Sequence, residues 1–369
     1  MDGYKLEGKL AEGRFGIVFK ASSTETGERV AVKRVRARRL MPGLDVDPWS
    51  KSAEREVEVL SQVRHEHVVH LLAHAAFPES GTFFMVYELL ACDLDTFLIH
   101  HRPLKESQVK SILTMLLTGL AYLHGLAIMH RDVKPSNLLF EEATGFLKLA
   151  DFGSARFLPV ATSDSSRVGL RESSTIKNQD ELTREVCTRW YKSPEMLFGS
   201  IDYGLAVDLW AAGCVFGDLL TRSGKQLFEG GSDIEQLCVI FQIRGTPQLD
   251  DWPEAALLPD FAKIEFTPCE PQPFPFEAEY DACSPEAVEL AERLLQLNPS
   301  KRLRAAQALE HMYFRTPPFA AQPASFAGAM ATEAKKADHQ LQECDDFASD
   351  GSEFASPDCE FESIPIETT

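Results

Sequence analysis

Between residues 4 and 35 apolar and polar positions alternate, with turn signals at Gly8, Gly13, Gly16 and Thr26-Gly27. A period of two broken by glycine predicts a meander of short antiparallel strands. In Val30-Ala31-Val32-Lys33 that period puts Ala31 and Lys33 on one face and Val30 and Val32 on the other. The spacing changes over 52–64, where Val57, Leu60 and Val63 recur at helical intervals. Thr82 to Leu90 reads as a buried strand. From Ser107 the apolar positions 109, 112, 113, 116, 120 and 123 form a long helical stripe, and the chain stays mostly helical to about 315.

A small strand-rich lobe joined to a larger helical one is the expected architecture, an α+β fold with its joint near Glu88 to Asp93. The chain has 369 residues, enough for one large domain or two smaller lobes. After about 315 the composition turns Pro/Ala-rich and then acidic, so 316–369 is expected to be a disordered tail. Residues 331–369 carry eleven Asp/Glu against two Lys, which accounts for about half of the net charge of −19. That charge argues against nucleic-acid partners and against an anionic membrane surface. The arginines at 34, 36, 38 and 39 are accordingly read as a solvated loop. The eight cysteines contain no CxxC pair, which suits idle thiols in a reducing compartment. No apolar run reaches membrane-spanning length and the first residues lack a signal core, so a soluble intracellular protein is expected.

The candidate chemistry is phosphoryl transfer, which needs a glycine-lined cover for phosphates, a fixed cation, metal-holding groups and a base near the incoming hydroxyl. Ala11-Glu12-Gly13-Arg14-Phe15-Gly16-Ile17-Val18 occupies the place of the cover, where glycine lets backbone N–H groups approach phosphate. Alanine at position 11 departs from the usual first glycine, and such a hairpin alone would be only a turn. Lys33 is the candidate cation, and Glu56 on the 52–64 helix its candidate partner. Each would read as a solvated surface residue in isolation.

The run His130-Arg131-Asp132-Val133-Lys134-Pro135-Ser136-Asn137 decides the matter, because Asp151-Phe152-Gly153 follows it at the right distance. Asp132 would accept the hydroxyl proton, Lys134 would neutralise the transferring group, and Asn137 and Asp151 would hold magnesium. Lysine at position 134 fits serine/threonine rather than tyrosine specificity. Ser193-Pro194-Glu195, Asp208-Leu209-Trp210 and Arg302, expected to pair with Glu195, read as scaffold.

On these motifs the chain resembles the protein kinases, and across residues 4 to about 315 it is similar to the cyclin-dependent kinase family. The similarity is carried by Thr183-Arg184-Glu185-Val186-Cys187-Thr188-Arg189-Trp190-Tyr191 and by Gly245-Thr246-Pro247 with Trp252-Pro253. His101 to His130 and Ser232 to Phe261 resemble the cell-cycle-related kinase branch. The resemblance implies a bilobal kinase fold, with a five-stranded antiparallel lobe and one regulatory helix over 4–90 and a mainly helical lobe over 91–315. It implies ATP and Mg2+, protein substrates, a cyclin-like or other activating subunit and an upstream activating kinase. It also implies a cell-cycle or cilium role, in cytoplasm, nucleus and cilium.

Carried over onto this chain, the family pattern makes Thr183 the activating phosphosite and Arg55, Arg131 and Arg156 its guanidinium partners. The adenine pocket would use Leu10, Val18 and Ala31 above the base and Leu139 below. Glu88 and Leu90 would bond the base through their backbones, Tyr87 would close the rear, and Asp93 would lie near the ribose. Arg14 and Phe15 replace the family's inhibitory phosphosites. Lys192 and Ser193 replace Arg-Ala, so the implied preference for proline after the target residue is weakened. The segment Ser154 to Leu182 is long and Ser/Thr-rich, which reads as a flexible insertion. Ser356-Pro357 in the acidic tail reads equally as a docking motif or an inert solubilising stretch.

Overall fold

The computed structural model describes residues 3–13, 16–36, 51–77, 81–159, 189–275, 283–336, 364–365 and 367–368. Five strands build the first lobe: β1 (Gly3–Gly13), β2 (Gly16–Ser23), β3 (Arg29–Arg36), β4 (Leu71–Phe77) and β5 (Thr82–Glu88). They pair antiparallel in the order β1-β2-β3-β5-β4. Two further pieces extend this sheet to seven strands. Ile364–Pro365 pairs with Tyr4 and Gly3 at one margin, and Glu367–Thr368 pairs with His74 and Ala73 at the other.

The pleat of β3 sorts its residues as the sequence pattern predicts. Val30 and Val32 are buried in a small cluster with Ala21, Ala73, Phe84 and Val86. Ala31 and Lys33 are only partly buried and turn to the opposite face. Between β3 and β4 lies helix α1 (Lys51–Leu60). It stops four residues short of the expected 64, although Val63 is still buried. The buried side of α1 carries Ala53, Val59 and Leu60, and among them the carboxylate of Glu56.

After an extended connector the second lobe begins with α2 (Leu94–His101), capped by Asp93, and α3 (Glu106–Gly125). All six stripe positions of α3, Val109, Ile112, Leu113, Leu116, Leu120 and Leu123, are buried. Further helices are α4 (Pro194–Leu197), α5 (Ala206–Leu220), α6 (Asp233–Arg244) and α7 (Pro285–Leu294). Every residue of α5 from Val207 to Leu220 is buried, the mark of a helix enclosed on all sides. Asp208 is therefore a carboxylate at the centre of the lobe. No helix among the described residues is long and apolar enough to cross a membrane.

The expected disorder after 315 does not hold for the first part of that segment. A 3-10 turn at Pro323–Phe326 leads into a helix over 327–336. Phe326 and Met330, four residues apart, are both buried. Phe326 lies against Phe97 and Phe140, with ring centroids 5.9 and 5.5 Å away. Pro/Ala-rich composition suggested disorder, but this apolar pair gives the segment a face to bury.

Candidate active site

The site is built upward from Asp208. Its Oδ2 accepts the backbone N–H of His130 at 2.9 Å and lies 2.9 Å from Nε2 of His124, while its Oδ1 accepts the N–H of Arg131 at 2.8 Å. Burial pushes this carboxyl up, but the His124 ring and the other contacts outweigh it, and its pKa ends below the usual aspartate value. One anchored carboxylate thus fixes the backbone just before Asp132. Arg131 takes a left-handed conformation there, with φ of 67°.

Asp132 is buried, and its Oδ2 accepts hydrogen bonds from Lys134 Nζ at 2.9 Å and Asn137 Nδ2 at 3.0 Å. The same Asn137 amide donates to the Asp132 carbonyl at 2.8 Å. The Asn137 carbonyl accepts from the N–H of Ala150 at 2.9 Å, which ties this turn to the residue before Asp151. Asp151 is also left-handed, with φ of 59°, a conformation that is costly for a non-glycine residue and is held here by its surroundings.

Across the cleft, Lys33 Nζ donates to Glu56 Oε2 at 2.8 Å and to Asp151 Oδ1 at 3.2 Å. Burial pulls the ammonium's pKa down, yet the Glu56 and Asp151 carboxylates push harder and leave it above the ordinary lysine value. For Asp151, burial raises and Lys33 lowers, with a net shift downward. Both groups are charged at neutral pH. Lys33, Asp132, Asn137 and Asp151 therefore line one cleft.

The cover is a hairpin in which Gly13 pairs with Gly16. Gly16 has φ of 139°, and a Cβ there would come within 2.2 Å of the Arg34 carbonyl oxygen. Glycine is required at this position by the backbone geometry. Ala11, Glu12, Ile17 and Val18 lie on the two strands beside it, Ala11 paired with Val18 and Glu12 with Ile17. Arg14 and Phe15 lie outside the described residues.

Leu10 on β1 is partly exposed, Ala31 pairs with Tyr87, and Leu139 pairs with Asp93 on the opposite floor. The Glu88 side chain turns onto Lys148 at 2.6 Å and the His70 N–H at 2.9 Å. Ala91 N–H is bonded to the Phe140 carbonyl at 2.8 Å, which fixes the connector that carries Leu90. Asp93 Oδ1 accepts the Thr96 N–H at 2.7 Å as the cap of α2.

The three arginines gather on one stretch of chain. Arg55 donates to the Gly153 carbonyl at 3.1 Å and Arg131 Nε to the Ser154 carbonyl at 2.5 Å, and Arg156 follows two residues later in a short strand paired with Met129. Thr183, Ser356 and Pro357 lie outside the described residues. Arg302 meets Glu195 as expected, with two bonds of 2.7 Å. Two contacts went unread in the sequence. His124 was not singled out, though it faces Asp208, and the Tyr87 hydroxyl donates to Glu56 Oε1 at 2.8 Å. A hydroxyl closing the apolar run Phe83 to Val86 was the available signal for the second.

Residues 4–314 match the protein kinase domain family. Cyclin-dependent kinase 20 of Homo sapiens is 43% identical over 325 residues, covering 88% of this chain and 86% of that protein. Cyclin-dependent kinase D-1 of Arabidopsis thaliana is 36% identical over 344 residues, covering 92% of this chain and 78% of that one. A chain in the crystal structure of the yeast RNA Pol II CTD kinase CTDK-1 complex is similar at a TM-score of 0.68 and 30% identity, covering 83% of this chain and 92% of the other. With the cleft geometry above, these likenesses mean that the chain belongs to the protein kinase family, as a cyclin-dependent-kinase-like, ATP-dependent serine/threonine protein kinase.

Proposed function

We propose that this chain transfers the γ-phosphoryl group of ATP to serine or threonine hydroxyls that precede proline in protein substrates, using Asp132 as the proton acceptor. The observation that carries the reading is the convergence of two bonded pairs, Lys33 with Asp151 at 3.2 Å and Asn137 with Asp132 at 2.8 and 3.0 Å, tied together by the bond from the Ala150 N–H to the Asn137 carbonyl at 2.9 Å. Lys134 and Asn137 engage Asp132 Oδ2, which leaves Oδ1 to orient the substrate hydroxyl and take its proton. Lys134 then offers its charge to the transferring group, and Lys33 holds the nucleotide's α- and β-phosphates.

Protein kinases in general use magnesium with ATP, and the donor set here fits that ion. Asp151 and Asn137 supply hard oxygen ligands. The amide nitrogen of Asn137 is committed to Asp132, so its oxygen is turned the other way. When bound, the ion neutralises charge on the phosphates.

The catalytic unit of the proposal spans 4–315, with lobes over 4–90 and 91–315. Its activation runs through phosphorylation of Thr183 by an upstream kinase, the phosphate being received by Arg55, Arg131 and Arg156. The gathering of these arginines around 153–156 supports this part. A cyclin-like or other activating subunit, a cell-cycle or cilium role, and a place in cytoplasm, nucleus and cilium are proposed from the resemblance alone.

The test uses the full chain, phosphorylated at Thr183, with labelled ATP and a peptide library randomised around a central Ser/Thr. Asp132→Asn is expected to lose roughly 10²- to 10⁴-fold in transfer while still binding nucleotide. Equal label from both proteins would remove the enzymatic reading. Random preference after the target residue would remove only its proline-directed part.

A further inference from the structure

Glu56 is buried on α1, and each of its carboxylate oxygens has one hydrogen-bond donor. Lys33 donates to Oε2 at 2.8 Å, and the Tyr87 hydroxyl on β5 donates to Oε1 at 2.8 Å. We propose that Tyr87 is a positioning residue: through its bond to Glu56 it holds α1 docked against the cleft and so keeps the Lys33–Glu56 pair closed. The inference rests on the kinase reading of the cleft and assigns the control of its Lys33–Glu56 pair.

The argument is one of satisfaction. A carboxylate taken out of water needs donor partners for both oxygens, and an unfilled one carries its full desolvation cost. If α1 swung away, Glu56 would have to leave both donors at once. Phenylalanine at position 87 would fill the same volume and leave Oε1 bare.

The hydroxyl has one proton, and a second acceptor, the sulfur of Met85, lies 3.2 Å away. The shorter contact to a charged oxygen takes that proton. Burial first, and the neighbouring Glu56 second, drive the Tyr87 pKa well above the ordinary tyrosine value, so the donor persists across the working pH range. Two further bonds hold α1 to the same side of the cleft. Ser52 Oγ donates to the Gly153 carbonyl at 3.0 Å, and Arg55 reaches the same oxygen at 3.1 Å. These anchor the helix through Ser52 and Arg55, whereas Tyr87 acts on the Glu56 carboxylate itself.

The test measures steady-state kinetics of the full chain without any added subunit, on the best peptide from the library above. Tyr87→Phe is expected to lower kcat about tenfold or more, with KM for ATP changed less than about twofold and a small fall in thermal midpoint from the unfilled Oε1. In an Glu56→Ala background the same substitution should have no further effect on kcat, because its route is gone. Met85→Leu, a volume-conserving swap, should leave kcat as it is. A wild-type kcat for Tyr87→Phe, or an equal loss in both backgrounds, would overturn the inference. So would a kcat loss in Met85→Leu equal to that in Tyr87→Phe. If Asp132→Asn is dead while Tyr87→Phe is fully active, only this inference fails. If Asp132→Asn transfers phosphate as wild type does, the reading beneath it fails too.

Discussion

Replacing Arg302 by alanine is the most searching stability test of this fold. The guanidinium, whose side chain is fully buried, spans both oxygens of Glu195 at 2.7 Å each. It also donates to the carbonyls of Gln296 at 2.8 Å and of Ala206 and Leu297 at 3.1 Å. Its carbon lies 5.0 Å from the Trp210 ring centroid. Breaking a buried pair by removing one partner costs about 3–5 kcal/mol, because the remaining charge stays buried alone. The three carbonyls lose a donor as well, at about 1 kcal/mol apiece if nothing replaces it. These costs share one side chain and do not add in full, so the pair itself sets the floor. Against a total stability of about 5–15 kcal/mol, Arg302→Ala should lose at least about 3. Urea denaturation followed by tryptophan fluorescence reads this directly. Glu195→Gln combined with Arg302→Ala should be less damaging than the two single losses summed, since the stranded charge is gone. An Arg302→Ala midpoint indistinguishable from wild type, or a double variant equal to the sum, would refute the reasoning.

Two further outcomes follow from buried groups away from the cleft. Burial raises Asp218 from 3.8 to about 7, against the opposing pull of the Tyr191 hydroxyl and the Leu227 N–H. Because the folded value exceeds the unfolded one, its stabilisation is complete below about pH 4 and lost as pH rises through about 7. Wild type should therefore lose thermal stability between roughly pH 4 and pH 7, and Asp218→Asn should flatten that slope; parallel slopes would count against the protonated carboxyl. Phe326→Ala removes the ring that covers Phe97 and Phe140, and large-to-small changes of this kind cost about 3–5 kcal/mol. A melting temperature unchanged by this substitution would mean that 323–336 is not part of the folded unit.

The cleft was legible because its residues are set by local rules. Asp132, Lys134 and Asn137 lie within six residues, and a turn with proline in its first position brings them close along the chain. The strand period alone turned Lys33 away from Val30 and Val32. What could not be read were meetings across long stretches of chain. Tyr87 reaches Glu56 over 31 positions and His124 reaches Asp208 over 84, and neither spacing carries a periodic signal. The end of α1 was missed because Val63 is buried by the turn after the helix and keeps the helical spacing by coincidence. Composition misled at 316–336, where two apolar side chains four apart outweighed a Pro/Ala-rich background.

The pairing of residues 364–365 with β1 and of 367–368 with β4 has a bearing on how the first lobe meets other molecules. Outer strands expose rows of unmatched amides and carbonyls, a standing invitation to foreign chains. Here Gly3 and Tyr4 on one side and Ala73 and His74 on the other are already matched by residues 364–365 and 367–368 of the same chain. A tethered segment competes at an effective concentration of about millimolar. Any extended stranger seeking those four positions, another copy of the protein included, must bind tightly enough to evict an occupant that never diffuses away.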